Sequence, residues 1–328
     1  MKVLWVHTFN PHAMSSGNFM FNFLDSFRAY CPEISVELFY FDKSGVASAL
    51  RSLRFLVRRA SEFDVVHFQY GSICSFFGFF LDHPAKVVTL RGSDWHSLLL
   101  GGSRLERIHS RLSGLLSRFS IPRMAMVIAV SERIAREVSF RSGVVARVVI
   151  DPINSLFFEG NRESVVRSND SYRVILNSID LSNPIKNLSF AERVVERCQR
   201  KFGVDIEIVR VHNLSQEDVR RLLLSGDCLL LTSEYEGWPN CVKEALVCGL
   251  SVVASDVSDL SMWAERIDTL RCVGEFDEEL FARELYNALR TGKANNSCST
   301  EIFHEFSGAY ASSRLASCYR SILALESP

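Results

Sequence analysis

The sequence predicts an α/β protein of two doubly wound domains, each with a parallel sheet covered by helices on both faces. Short apolar or β-branched runs alternate with longer segments of helical periodicity. The short runs are apolar almost throughout, as expected for strands that are buried on both faces of a sheet. The alternation stops at the segment DPINSLFFEGNRESVVRSNDS, which is rich in Asn, Ser, Pro and Gly, and then starts again.

The first half of the chain contains six predicted strands: KVLWV, ISVELFYF, DVVHFQ, KVVTLRG, MVIAVS and ARVVI. Helical periodicity marks the segments NFMFNFLDSFRAY, ASALRSLRFLVRRA, LERIHSRLSGLLSRF and ERIAREVS. The second half repeats the pattern with the strands YRVILNSI, DIEIVRV, CLLLTS, SVVASD and LRCVG. Its predicted helices are LSFAERVVERCQRKF, SQEDVRRLLLS, PNCVKEALVCG and DEELFARELYNALRT.

We therefore expect an N-terminal domain over residues 1–155 and a C-terminal domain over residues 156–328. The last helix is expected to pack back on the N-terminal domain. Two such domains facing each other would leave a central cleft lined by the carboxyl ends of both sheets, and doubly wound folds bind ligands there.

Composition limits the class of protein. The 328 residues are enough for two cores, and 47% hydrophobic with 23% charged residues is typical of a soluble globular protein. The nine cysteines include no CxxC pair, which argues against a zinc site and favours a reducing cytosol. The first apolar run is too short for a signal peptide, and no apolar run reaches 18 residues. We expect a cytoplasmic protein.

Charge is divided unevenly along the chain. Residues 1–150 carry 18 Lys or Arg against 11 Asp or Glu, and the remaining residues carry 19 against 27. A basic half suggests an anionic partner such as a phosphate group or a membrane surface, although ordinary solvation of helix surfaces explains it equally well.

The stretch SEYEGWPNCVKEALVCGL, which starts at Ser233, holds two glutamates, one on a loop and one in a helix. CLLLTS is a buried strand, SEYEGW is the loop after it, and Pro239 suits the first turn of the next helix. Glu236 would lie on the rim of the cleft, and Glu244 one to two turns inside the helix. The first turn of that helix is a potential anion site, because its backbone N–H groups lack intrahelical partners.

A ligand with hydroxyl groups on both sides of a phosphate could contact both carboxylates, and a sugar nucleotide has this layout. The alternative fits the spacing as well: Glu236 caps the helix, and Glu244 is a solvated surface residue.

These residues resemble the signature of retaining glycosyltransferase family 4, which has the GT-B fold. Glu236-Gly237, Glu244-Ala245, Gly249 and the strand SVVASDV match its pattern. The segments VVTLRGSDW, VIAVSERI, VVIDPINSLFF and NPIKNLSFA resemble further parts of the family, so that the resemblance covers most of the chain.

The resemblance implies roles for particular residues. Glu236 would contact hydroxyls of a donor sugar and Glu244 the ribose of its nucleotide, whereas Lys186 would contact phosphate. Backbone groups around Gly237, Trp238, Asn240 and Cys241 would face the sugar and diphosphate.

One position departs from the family pattern. The family usually has an arginine six residues before the lysine, and here that position is Asp180. The departure matters because a diphosphate leaving group needs positive charge as its bond breaks. A surface lysine remains the alternative for Lys186.

Two further sites in the first half are implied by the resemblance. The loop NPHAMSSGNF lies where the family keeps a glycine-rich loop near phosphate and acceptor, which makes Ser16 and Gly17 candidates. Turn formation alone is the alternative for Gly17. Arg91 and Asp94 follow the strand KVVTL, and Arg91 is expected either to face the diphosphate or acceptor or to pair with Asp94.

The resemblance implies a retaining glycosyltransferase that uses a UDP-sugar or GDP-sugar and acts on a glycan or lipid-linked acceptor, as in bacterial polysaccharide or glycolipid biosynthesis. The chain has no Asp-x-Asp triplet, so we expect a reaction without metal or cofactor. The arginines and the segment RSLRFLVRRA suit contact with an anionic membrane at its inner face, and no nucleic acid partner is expected. Two alternatives remain: a sugar-nucleotide epimerase of the same fold, and a non-catalytic partner subunit, which Asp180 keeps open.

Overall fold

The computed structural model describes residues 1–9, 17–96, 104–159, 171–177, 183–212, 214–291 and 303–325. The chain forms two compact units, which we call the first and second units. The first comprises Met1–Pro152 and Glu305–Pro328, and the second comprises Ile153–His304. The second unit is therefore inserted into the sequence of the first, and the first unit contains both ends of the chain.

Each unit contains one parallel sheet. The first sheet has the order β2-β1-β3-β4-β5-β6 and the second the order β11-β10-β9-β7-β8. The strands of the first sheet are β1 (Lys2–His7), β2 (Ser35–Tyr40), β3 (Val65–Phe68), β4 (Lys86–Leu90), β5 (Met126–Ala129) and β6 (Arg147–Val148). Those of the second are β7 (Tyr172–Asn177), β8 (Ile206–Val211), β9 (Cys228–Leu231), β10 (Ser251–Ser255) and β11 (Leu270–Val273). All eleven coincide with predicted strand segments.

Helices connect the strands. They are α1 (Asn18–Tyr30), α2 (Val46–Arg59), α3 (Ser72–Phe76), α4 (Arg104–Ser120), α5 (Glu132–Ser142), α6 (Leu188–Phe202), α7 (Gln216–Ser225), α8 (Asn240–Val247), α9 (Leu260–Ala264), α10 (Glu278–Thr291) and α11 (Gly308–Leu325). The short helices α3 and α9 were not predicted, because five residues are too few to display a helical period. Pro239 precedes the first turn of α8 in an extended conformation instead of lying within it.

The core of the first unit joins the two ends of the chain. Helix α11 packs on α1, and Leu315 and Tyr319 lie buried in one cluster with Trp5 and Phe27. The indole N–H of Trp5 donates to the Tyr319 hydroxyl at 2.9 Å. His67 Nδ1 lies 2.6 Å from the same hydroxyl, and burial holds the pKa of His67 well below its ordinary value. The last helix is therefore built into the core of the first unit.

The core of the second unit lies between its sheet and the helices α6 and α10. The central strand β9 is buried at every position, as is β10. Strands that are apolar on both faces leave polar residues to appear only where the strands end. Among the described helices, none combines the length and apolar character that a membrane span requires.

Candidate functional site

The candidate site forms where three neighbouring strands of the second sheet end. Strands β7, β9 and β10 are adjacent and parallel, so their carboxyl ends lie at the same edge. Lys186 follows β7, Glu236 follows β9 and Ser258 follows β10. The topology therefore brings to one edge residues as far apart in sequence as Lys186 and Ser258.

The carboxylate of Glu236 is held by two donors. Oε1 accepts a hydrogen bond from Lys186 Nζ at 2.6 Å and another from the Ser233 hydroxyl at 2.7 Å. The Glu236 side chain retains 16% exposure and that of Lys186 26%. Both groups are thus largely desolvated and still accessible to a ligand.

The loop that carries Lys186 is fixed to the loop after β9. The Thr232 hydroxyl lies 3.1 Å from the carbonyl oxygens of both Lys186 and Asn187. The backbone N–H of Glu234 donates to the Ile185 carbonyl at 2.8 Å. These bonds fix the direction in which the Lys186 side chain leaves the backbone.

Electrostatics keep Lys186 charged. Burial by itself lowers the pKa of the ammonium group, but the charge of Glu236, an interaction with Cys241 and the hydrogen bond to Glu236 raise it. The net pKa lies above the ordinary value for lysine. The site therefore keeps a permanent cation beside the start of α8.

The Gly237–Trp238 segment is anchored to the loop after β10. The Ser258 hydroxyl donates to the Gly237 carbonyl, and Ser258 has a φ of 56°, in the left-handed region. The Trp238 side chain is only 7% exposed and packs edge-on against Trp263, with the ring centres 5.6 Å apart. Lys243 Nζ lies 5.3 Å from the centre of the Trp238 ring. The Trp238 ring therefore packs into the interior of the second unit.

Helix α8 supplies the second glutamate. The backbone N–H groups of Val242 and Lys243 donate to the Pro239 carbonyl, whereas Asn240, the first helical residue, has no intrahelical acceptor. Glu244 lies one turn further along the helix. Burial raises the pKa of the Glu244 carboxyl to about 7, and nearby Lys243 opposes this shift only in part. Within the part of the chain that the structure describes, no hydrogen-bond donor contacts this carboxyl group.

Arg91 and Asp94 belong to the first unit and have other contacts. The Arg91 guanidinium donates from Nε and Nη2 to the carboxylate of Asp151, at 2.8 and 3.0 Å, and from Nη1 to the Gln69 carbonyl. Both side chains of this ion pair are less than 10% exposed. The Arg91 side chain thus pairs with Asp151, and its hydrogen bond to Asp94 runs from its backbone N–H.

Asp94 organises the backbone of two loops. Its carboxylate accepts hydrogen bonds from the backbone N–H groups of Gly71, Arg91 and Gly92 at 2.7, 2.9 and 2.8 Å. Burial raises its pKa, although these bonds oppose the shift. These contacts give Asp94 a structural use at the ends of β3 and β4, and a contact with ligand remains a prediction.

Gly17 is constrained by its backbone. It precedes α1 with a φ of 79°, and an added Cβ would lie 2.6 Å from the ring of Phe9. Two backbone N–H groups of α1 donate to its carbonyl oxygen. This geometry favours the turn alternative for Gly17. Ser16 and Asp180 lie outside the described residues.

The hydroxyl groups that support Glu236 were not among the predicted site residues. The Ser233 hydroxyl holds the carboxylate, and the Ser255 hydroxyl donates to the Ser233 carbonyl at 2.6 Å. Both serines come directly at the ends of buried apolar strands, in CLLLTS and SVVASD. That position was the available signal, because polar residues at the carboxyl ends of parallel strands lie at the ligand-binding edge.

The chain is similar to solved structures over almost its whole length. Sucrose-phosphate synthase from Thermosynechococcus elongatus has a TM-score of 0.73 at 13% identity, with 99% of this chain and 100% of that chain covered. Anabaena HepE in complex with UDP and glucose has a TM-score of 0.70 at 15% identity, with coverage of 98% and 100%. The fold is GT-B. The lipopolysaccharide outer core galactosyltransferase WaaB, in its apo form, shares this architecture with a TM-score of 0.63 at 14% identity, with coverage of 98% and 99%.

One family model matches part of the second unit in sequence. Residues 189–291 match the family model described as "Glycosyl transferases group 1". The matched range includes Glu236, α8 and Glu244, and it supports a glycosyltransferase. No curated protein matches the chain. Among the described residues, no group of three or more His, Cys, Asp or Glu side chains could hold a metal ion, and independence from metal stays a prediction.

Proposed function

We propose that the chain is a retaining glycosyltransferase of family 4 that transfers a sugar from a nucleotide diphosphate sugar to an acceptor hydroxyl group. One observation carries the proposal. A charged lysine and a glutamate, Lys186 and Glu236, are paired at the strand ends beside the start of α8, and the same helix carries the desolvated Glu244. The family match over residues 189–291 supports it.

Each part of a donor meets a suitable group in this arrangement. Lys186 and the N-terminal end of α8 suit the negative charge of a diphosphate. Glu236 suits hydroxyl groups of the sugar, since a carboxylate can accept further hydrogen bonds at its second oxygen. Glu244 suits the two ribose hydroxyls, because a carboxyl group can accept a hydrogen bond from each of them. The presence of UDP and glucose in the HepE structure supports a UDP-sugar donor, and a GDP-sugar is the alternative.

The proposed reaction replaces the glycosyl phosphate bond of the donor by a glycosidic bond to the acceptor, on the same face of the sugar. The bond between the anomeric carbon and the diphosphate oxygen breaks, the acceptor oxygen bonds to that carbon, and the acceptor proton passes to the departing phosphate. The protein forms no covalent intermediate in this scheme. Lys186 and the helix end stabilise the charge that develops on the leaving group, and Glu236 orients the sugar.

We further propose a glycan or lipid-linked acceptor and a role in bacterial polysaccharide or glycolipid biosynthesis. The similarity to WaaB, a lipopolysaccharide outer core galactosyltransferase, supports this class of acceptor.

The test begins with binding. Thermal-shift screening against UDP, GDP, ADP and their sugars should reveal one preferred nucleotide, and isothermal titration should then give its affinity. Failure to bind any of them would indicate the non-catalytic partner subunit. With the donor known, proton NMR of the product should show that the anomeric configuration of the donor is retained, and excess EDTA should leave the rate unchanged. Inversion would contradict the mechanism, and a free isomerised sugar nucleotide formed without acceptor would indicate an epimerase.

A further inference from the structure

Helix α4 exposes its apolar side chains and buries its small polar ones. Four large apolar residues are half or more exposed: Ile108 at 62%, Leu112 at 50%, Leu115 at 61% and Phe119 at 54%. Their spacing of four, three and four residues places them in one stripe along the helix. The opposite face buries Ser113, Ser117 and Ser120. This is the reverse of the usual arrangement in a globular protein.

Hydrogen bonds fix the helix in this orientation. The Ser117 hydroxyl accepts from the backbone N–H of Ser72 and donates to the Asp94 carbonyl, both at 2.5 Å. The Ser120 hydroxyl lies 2.7 Å from that of Ser75. Turning α4 to bury its leucines would break these bonds and leave buried backbone groups without partners. The outward apolar stripe is therefore built into the unit.

The stripe continues into a group of aromatic residues. The Phe119 ring lies 5.0 Å from that of Phe79 and 6.0 Å from that of Phe76. Phe80, beside them, is 53% exposed. The guanidinium of Arg123 lies 4.6 Å from the centre of the Phe79 ring.

Arginines run beside the stripe. Arg104, Arg107 and Arg111 are exposed, and Arg104 and Arg111 lie one turn from Ile108 and Leu115, respectively. The sequence of α4 contains four arginines and one acidic residue, Glu106. An apolar stripe flanked by arginines on an exposed helix is the arrangement found in helices that lie in a membrane interface.

We propose that this surface, the α4 face, binds a lipid bilayer that carries anionic head groups. It consists of Ile108, Leu112, Leu115, Phe119 and Phe80 with the flanking arginines Arg104, Arg107 and Arg111. The apolar side chains enter the boundary between head groups and acyl chains, and the arginines remain at the level of the phosphates. A second copy suits the face less well, because a two-fold contact along α4 would bring two rows of arginines together. The proposal does not rest on transferase activity.

The test is flotation of the 328-residue chain with vesicles of phosphatidylcholine alone and of phosphatidylcholine mixed with phosphatidylglycerol. We expect binding to the mixed vesicles only, weakened by salt. The variant Leu112→Ser/Leu115→Ser should bind about tenfold or more weakly, because it removes two inserted side chains. The variant Arg107→Gln/Arg111→Gln should also bind the mixed vesicles more weakly, because each charge removed near an anionic surface lowers the affinity roughly fivefold.

The matched control is Arg136→Gln/Phe140→Ser on α5, a helix of the same unit. Phe140 is 92% exposed and Arg136 is also exposed, so this variant removes the same kinds of group from a different surface. It should bind vesicles like the parent protein. Equal binding to both kinds of vesicle, equal losses in the control, or no binding at all would overturn the proposal. The proposal would also be overturned if the protein bound no vesicles and formed a dimer that Leu112→Ser/Leu115→Ser converts to a monomer, because a second copy would then cover the face. Circular dichroism confirms that each variant folds, and UDP titration reports separately on the second unit.

Discussion

Lys186 Nζ lies 2.6 Å from Oε1 of Glu236, although the two residues are fifty positions apart in the chain. They meet because β7 and β9 are neighbours in the sheet and each residue follows the end of its strand. In the free protein each charge neutralises the other. A bound diphosphate would compete with Glu236 for the lysine, and the sugar would compete with the lysine for Glu236. The pair therefore couples the two halves of the proposed donor.

Replacement of Lys186 by alanine should lower kcat on the order of 10²-fold, comparable to the loss of one oxyanion-stabilising donor. It should also weaken binding of UDP or GDP, because the cation beside the diphosphate is gone. The control is Lys201→Ala, which removes an exposed lysine of the same unit that pairs with Glu279. Steady-state kinetics with the identified donor measure both effects. Near-normal kcat in Lys186→Ala would show that the leaving group is stabilised elsewhere.

Ser233 should act as a positioning residue for Glu236. The Ser233→Ala variant removes one of the two donors to the carboxylate and leaves Lys186 in place. We expect kcat to fall about fivefold, as for a net hydrogen-bond loss of about 1 kcal/mol, with little change in affinity for the free nucleotide. Ser233→Thr, which retains a hydroxyl group, should recover part of the rate. Ser225→Ala, at the end of α7, is the control. If Ser233→Ala weakens nucleotide binding as much as it lowers kcat, the serine shapes the whole site instead of orienting Glu236.

Glu244 should contribute to nucleotide affinity. If its carboxyl group accepts hydrogen bonds from the ribose, Glu244→Ala should weaken UDP or GDP binding by about 1–3 kcal/mol. Isothermal titration measures this, and the corresponding 2′-deoxynucleotide should lose affinity in the parent protein but less in the variant. Unchanged affinity in a folded Glu244→Ala protein would remove the ribose role.

Glu244 should also make the stability of the second unit depend on pH. Burial raises its pKa from 4.5 to about 7, so between these values the folded state binds more protons than the unfolded state. Stability therefore falls as pH rises from about 4.5 to about 7, by up to about 3 kcal/mol for this group. The Glu244→Gln variant should lack this contribution, and urea unfolding of both proteins at several pH values measures it. If the free energies of unfolding of the two proteins changed in parallel with pH, folding would leave the ionisation of Glu244 unchanged.

Replacement of Arg91 should lower the stability of the first unit. Its bidentate pair with Asp151 is almost fully buried, so that Arg91→Ala leaves a desolvated carboxylate without its cation. We expect a loss of about 3–5 kcal/mol in the free energy of unfolding of the first unit. Arg91→Met/Asp151→Leu removes both charges and should recover much of that loss. Chemical denaturation gives both values. A stable Arg91→Ala protein that lacks activity would instead favour contact between Arg91 and the ligand.

The sequence predicts the scaffold better than the contacts. A buried parallel strand such as CLLL is apolar on both faces, and this pattern can be recognised from the residues themselves. The glutamate pair could likewise be placed on a loop and on a helix, because Glu236 and Glu244 flank a predicted strand-to-helix turn. The partners of Arg91 could not be predicted, because Asp151 is sixty residues away and only the paths of two separate loops bring the two side chains together. The reversed faces of α4 were equally inaccessible: its periodicity fits a helix, but periodicity does not say which face points inward.

The discontinuity of the first unit has a consequence for synthesis. Helix α11 completes the core around Trp5, yet its residues are translated after all of Ile153–His304. A ribosome making this chain therefore releases the first sheet while one wall of its core is still missing. The second unit, being continuous in sequence, can fold completely during that interval. The order in which the units mature is thus opposite to the order in which they begin, and the nascent first unit must stay competent to receive α11 until that helix has been made.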